Sequence, residues 1–120
     1  MNPWMTPNHP QIQVNQAEDD GCTPLFIAGQ EGHADCVRLL LAHPQIQVNQ
    51  PNNNGNTPLI MAAYKGHLEV VKELLSVPEI DVHVTDENFK TAEDLARQNG
   101  HREVANAIKA RSSRSKRWWR

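Results

Sequence analysis

An eight-residue string, His-Pro-Gln-Ile-Gln-Val-Asn-Gln, occurs twice without change, at residues 9–16 and 43–50, and a looser copy, Val77-Pro78-Glu79-Ile80-Asp81-Val82-His83, follows. Both offsets are 34 residues. The same offset carries Gly21-Cys22-Thr23-Pro24-Leu25 onto Gly55-Asn56-Thr57-Pro58-Leu59, and Gly32-His33 onto Gly66-His67 and Gly100-His101. A period of this length over residues 9–110 dictates a stack of like units, each burying its apolar face on the next. A chain of 120 residues has room for about three such units and for no second domain.

Within one period the local chemistry writes two helices. Thr57 can accept a backbone hydrogen bond as N-cap, and Pro58 takes the first helical position, where its missing N–H costs nothing. Thr23-Pro24 does the same one unit earlier. A helix over residues 59–65 is expected to stop at Gly66, which tolerates the left-handed conformation, and a second helix to run over residues 67–76. Leu68, Val70, Val71, Leu74 and Leu75 give that second helix one apolar face. Pro78 forbids continuation, and Ile80 and Val82 alternate in what is expected to be an extended arm.

These residues resemble the ankyrin repeat, whose pattern is Gly-x-Thr-Pro-Leu-His-x-Ala-Ala-x-x-Gly-His followed by an apolar helix and an arm ending near Val-Asn. Residues 55–71 are the closest copy. The resemblance implies an all-α solenoid of about three helix-turn-helix units with protruding β-hairpin-like arms. The units are set at about 21–53, 55–87 and 89–110, preceded by an irregular segment at 1–8 and followed by a basic tail at 111–120 that is expected to be disordered.

The departures from the pattern are local. Phe26, Ile60 and Asp94 stand where the family has His after Thr-Pro-Leu, and Gly29 replaces the second Ala. Glu93, Arg97, Ala105 and Lys109 replace Leu59, Ala63, Val71 and Leu75 of the previous unit, polar on one side only, which is what a C-terminal cap facing water requires. Phe89 follows Asn88 where the other arms have their turn glycine; Asn is expected to take the left-handed conformation there. No matching N-terminal cap is visible. Pro3 and Pro7 exclude a helical pair before residue 9, so two readings stay open: a fragment of a longer array, or Trp4 and Met5 folded over an exposed first unit that otherwise invites self-association.

Repetition also bears on chemistry. His33, His67 and His101 fall at a fixed structural position, where the imidazole can tie down the turn between helices, and no histidine pair has the spacing of a zinc site. Cys36 takes the place of Val70 and is expected to be a small buried hydrophobe, whereas Cys22, near an arm tip, is expected to be exposed. No phosphate-cradling loop or nucleophile–base arrangement can be assembled, so no catalytic residue, cofactor or metal is assigned. The resemblance instead implies a non-catalytic protein-interaction module. Its contacts, carried over position by position, are Asp19, Asp20, Cys22, Gln30 and Glu31; Asn53, Asn54, Asn56, Tyr64 and Lys65; and Glu87, Asn88, Lys90, Gln98 and Asn99. Tyr64, the single tyrosine, is the first choice of anchor.

Net charge is −2, yet six of the twelve basic residues lie in the last twelve positions, leaving six basic against fourteen acidic residues before them. Arg111, Arg114, Lys116, Arg117, Trp118, Trp119 and Arg120 make an alternative reading: binding to nucleic acid or an acidic membrane through the tail, with the repeats as carrier. The absence of a long apolar run, of a basic-plus-apolar leader and of a cysteine framework leads to an expected intracellular, cytoplasmic protein, with nuclear entry open through the tail.

Overall fold

The computed structural model describes residues 13–117. Six helices follow one another: α1 (Pro24–Glu31), α2 (Ala34–Leu41), α3 (Pro58–Lys65), α4 (Leu68–Leu75), α5 (Ala92–Gln98) and α6 (Arg102–Arg117). Helices α1, α3 and α5 pack side by side as an inner layer, and α2, α4 and α6 as an outer one, each inner helix paired with the outer helix that follows it. This is the helix-turn-helix solenoid that the 34-residue period implies.

Each inner helix begins as its sequence dictates. Thr23 Oγ1 accepts from Phe26 N at 3.1 Å and Thr57 Oγ1 from Ile60 N at 3.1 Å, with proline at the next position in both. In α5 there is no proline; Thr91 Oγ1 accepts from Asp94 N at 3.2 Å while Asp94 returns an acceptor to Thr91 N at 3.1 Å, a reciprocal cap. Asp94, a departure from the family pattern, thus closes a reciprocal cap in the unit that has Ala92 in place of the proline. At the other end Gly66 ends α3 with φ 78°. A Cβ there would also stand 2.5 Å from Nδ1 of His101, so space as well as backbone angle demands glycine.

The histidines do something other than brace their own turns. Nε2 of His67 donates to the carbonyl of Gln30 at 2.9 Å, thirty-seven residues earlier, and its ring lies against Gly32. The His101 ring lies against Gly66 in the same way. The Gly-His step therefore fastens one unit to the unit before it.

A second inter-unit fastening runs through the arms. Asn15 Nδ2 donates to Gln45 O and its Oδ1 accepts from Gln47 N, both at 2.8 Å; Asn49 repeats the pair with Glu79 O at 2.8 Å and Asp81 N at 2.9 Å. Both halves of each amide are used, which explains asparagine at these two positions better than any turn preference does. The segment after α4 alternates as expected, Ile80 and Val82 buried and Asp81 and His83 exposed. Its backbone is turned rather than extended, with Ile80 N bonded to Val77 O at 3.2 Å, and the described residues contain one isolated β-bridge, Thr85 with Thr91.

The core is continuous across units. Leu25, Leu59, Ala62, Ala63 and Ala96 pack inside the inner layer, Val37, Val70, Val71, Leu74, Val104 and Ile108 between the layers, and Val48, Ile80 and Val82 beneath them. The ends differ from each other. Where α3 has Leu59 and Ala63, α5 carries an exposed ion pair, Arg97 to Glu93 at 2.9 Å, worth little to stability but keeping the last face wet. At the first face Cys36 is exposed, against expectation, and Leu39 is 75% exposed. Their counterparts Val70 and Glu73 are covered because Val70 lies on Gly29 of the preceding unit and Glu73 accepts from Arg38. Among the described residues nothing occupies that side of α2.

The tail is also corrected. Helix α6 does not end near Lys109 but continues to Arg117, through most of the stretch expected to be disordered. Arg111 donates to the carbonyls of Leu75 (3.3 Å) and Pro78 (3.2 Å), the open end of α4, and so belongs to the folded body. Once that turn is anchored, each further helical residue adds a hydrogen bond without a new nucleation cost. Trp118, Trp119, Arg120 and the segment 1–8 with Trp4 and Met5 lie outside the described residues.

Candidate functional site

Three arm tips share one turn design, built on positions 34 apart. Asn52 N donates to Asn56 O (2.8 Å), Gly55 N to Asn52 O (3.0 Å), and Asn52 Oδ1 accepts from both Asn54 N and Asn56 N at 3.0 Å. Asp86 repeats this, its Oδ1 accepting from Asn88 N (2.8 Å) and Lys90 N (3.0 Å). In the first tip Glu18 supplies the backbone bonds and Asp20 Oδ1 accepts from Cys22 N at 3.0 Å. That N–H, followed by the Cys22 thiol, holds the Asp20 carboxyl below the ordinary carboxylate range.

The residue that must be left-handed in each tip is Gly21, Gly55 and then Phe89, at φ 63°. Asn88 was expected to absorb that conformation and does not. The turn geometry places it on the residue in the glycine register, whatever that residue is, and the Phe89 ring is left 85% exposed.

Several expected contact residues are spent inside the protein. Cys22 is buried, not exposed, beneath Asn52, whose Nδ2 approaches its Sγ at 3.9 Å. Burial, and then the hydrogen bond with Asp20, pushes its thiol pKa up. Asn53 joins the first two tips, N to Asp20 O and Nδ2 to Asp19 O, each at 2.9 Å. Asn99 Nδ2 donates to Leu95 O at 2.8 Å. Gln30, Glu31, Lys65 and Gln98 sit at the far ends of the inner helices, a helix length of about 12 Å from the tips. Asp19, Asp20, Asn54, Glu87 and Asn88 are exposed on the tips, with Lys90 half-buried beside them.

A groove between the second and third units brings part of the expected set together. Asn56, Tyr64 and Asn88 line it, with Ile60, Met61, Asp86 and Leu95, around a volume of about 380 Å³. Tyr64 is 47% exposed at its rim. Met61 and Leu95 are not among the expected contacts, yet the sequence carries a signal for them. Ile27, Met61 and Leu95 are apolar at one register position in all three units, a stripe outside the core pattern. Among the described residues no group of three or more His, Cys, Asp or Glu is placed to hold a metal. None of the described helices is long and apolar enough to cross a membrane.

A family model described as ankyrin repeats (3 copies) matches residues 4–86 and, in an overlapping placement, residues 53–113. The chain belongs to the ankyrin repeat family. A search of curated proteins gave no match. Ankyrin repeats are, as a class, protein-interaction units and typically non-catalytic, and among the described residues a groove between the second and third units joins an aromatic rim, apolar walls and turn polar groups.

Proposed function

We propose that this ankyrin domain is a non-catalytic adaptor that binds a protein partner in the groove formed by α3, α5 and the second and third arm tips, with Tyr64 as anchor. The observation that carries the reading is the meeting of Tyr64, Met61 and Leu95 in one open groove with Asn56, Asp86 and Asn88 at its edge. A half-exposed aromatic over apolar walls, ringed by polar groups, is how binding hot spots are built. The exposed face of α2 offers apolar area too, but the charged groups beside it, Asp35 and Arg38, pair with each other.

The test is affinity capture from the native cell with three full-length forms: wild type, Tyr64→Ala, and a form with Arg114, Lys116, Arg117 and Arg120 changed to Ser. Arg111 is left intact because it anchors α6. A partner retained by the Ser form and lost with Tyr64→Ala supports the groove; one lost with the Ser form and retained by Tyr64→Ala returns the tail to consideration and refutes this reading.

A further inference from the structure

Phe89 is the outlier of the arm tips. A residue with a Cβ pays roughly 1–2 kcal/mol for the left-handed conformation, and a ring that is 85% exposed gains almost no burial in return. The turn bonds to Asp86 hold the backbone in that conformation, and the ring they leave uncovered points to a use outside the fold. Two positions earlier in the same tip stands Glu87, exposed, and at the first tip stand Glu18 and Asp19, also exposed. The ion pairs of the described residues engage Asp35, Glu69, Glu73 and Glu93, all on helices, and leave the tip carboxylates aside. Before residue 109 the chain has fourteen acidic and six basic residues, and the single basic residue in the sequence of these two tips is Lys90, which is half-buried.

Resting on the groove reading above, we propose that the partner offers an extended segment with one apolar side chain flanked by two Lys or Arg. The apolar side chain enters the groove at Tyr64, one cation lies on the Phe89 ring in the tip that carries Glu87, and the other meets Glu18 and Asp19. An exposed aromatic face attracts a cation by its quadrupole, and a neighbouring carboxylate adds a direct charge. The register sets the spacing. Adjacent units stand about 10 Å apart, so tips one and three are separated by about 20 Å, which an extended strand covers in about six residues at roughly 3.3 Å each. The groove lies between tips two and three, so the apolar residue falls about two positions from the Phe89-side cation.

The test uses the full chain and three fluorescein-labelled peptides followed by fluorescence anisotropy at physiological and raised salt. One has two arginines six positions apart with tryptophan two positions from one of them; the second has glutamate for both arginines; the third has alanine for the tryptophan. The arginine peptide should bind at least about tenfold more tightly than its glutamate twin and weaken as salt rises. Phe89→Ala should weaken it roughly three- to tenfold, and Tyr64→Ala should weaken it while leaving the alanine peptide unchanged. Equal binding of the arginine and glutamate peptides, both weakened by Tyr64→Ala, overturns the cationic partner and leaves the groove standing. Binding of the arginine peptide that neither Phe89→Ala nor Tyr64→Ala alters is bare attraction to an acidic body and overturns both. No binding of any peptide at millimolar concentration overturns the proposed segment.

Discussion

Replacing Phe89 separates backbone strain from side-chain packing, and the contrast between two substitutions is the informative quantity. Phe89→Gly relieves a left-handed cost of roughly 1–2 kcal/mol, and the greater freedom of glycine in the unfolded chain takes back roughly 0.5–1 kcal/mol. The ring is 85% exposed, so of the ~200 Å² that a phenyl side chain can bury only about 30 Å² is at stake. At about 25 cal/mol per Å² this is about 0.8 kcal/mol. The glycine variant should therefore lie within about 1 kcal/mol of wild type, far from the roughly 3–5 kcal/mol lost when a packed phenylalanine is removed. Phe89→Ala loses the same ring and keeps the strain. Glycine should then equal or exceed alanine by up to about 1.5 kcal/mol, reversing the usual order in which glycine is the worse of the two. Urea denaturation followed by far-ultraviolet circular dichroism measures both, and each kcal/mol should appear as about 4–8 °C in a thermal melt. An alanine variant more stable than the glycine variant would refute the strain, and a loss of several kcal/mol in both would refute the exposure of the ring.

Leu74 is fully buried on α4, which packs against α2 and α6, so Leu74→Ala should cost about 2–5 kcal/mol in the same assay; a negligible loss would contradict the packing of the outer layer. Arg111→Ala should lower stability by about 1–3 kcal/mol because the carbonyls of Leu75 and Pro78 lose a charged donor, and α6 should fray beyond residue 110, seen as faster amide exchange there and unchanged exchange in α3. With a thiol-specific chromogenic reagent on the native protein, Cys36 should react rapidly and Cys22 slowly, since Cys22 is both buried and held neutral by its raised pKa; equal rates would contradict the placement of Asn52 over Cys22. The Asp20 carboxyl, depressed by the Cys22 N–H, contributes stability that is complete above about pH 4 and is lost as pH falls through its lower native value. Wild type should therefore exceed Asp20→Asn in urea midpoint near neutrality and lose that advantage in acid; a pH-independent difference would contradict the linkage.

The two-helix unit, its caps, its three-fold recurrence and the wet last face were readable from residues alone. Thr-Pro and Gly-His act on backbone groups within a few positions, and a 34-residue offset needs no coordinates to be seen. Tyr64, Asn56 and Asn88 could be named only through the family resemblance, carried over position by position. What failed in that reading has one physical cause. Cys36 sits in the slot of Val70, but burial in a solenoid is conferred by the neighbouring unit, and α2 has none described on its outer side. Cys22 looked open at a turn until Asn52 of the next arm covered it. The arm asparagines Asn15 and Asn49 are links to the next unit, and His67 reaches back to Gln30. Composition made residues 111–120 look unstructured, yet Arg111 docks on the end of α4 and the helix runs on to Arg117. The unit, with the left-handed Phe89 of its turn, is a short-range product of the chain; the contacts between units, and with them the groove and the unequal fates of two cysteines, arise only when one copy is laid against the next.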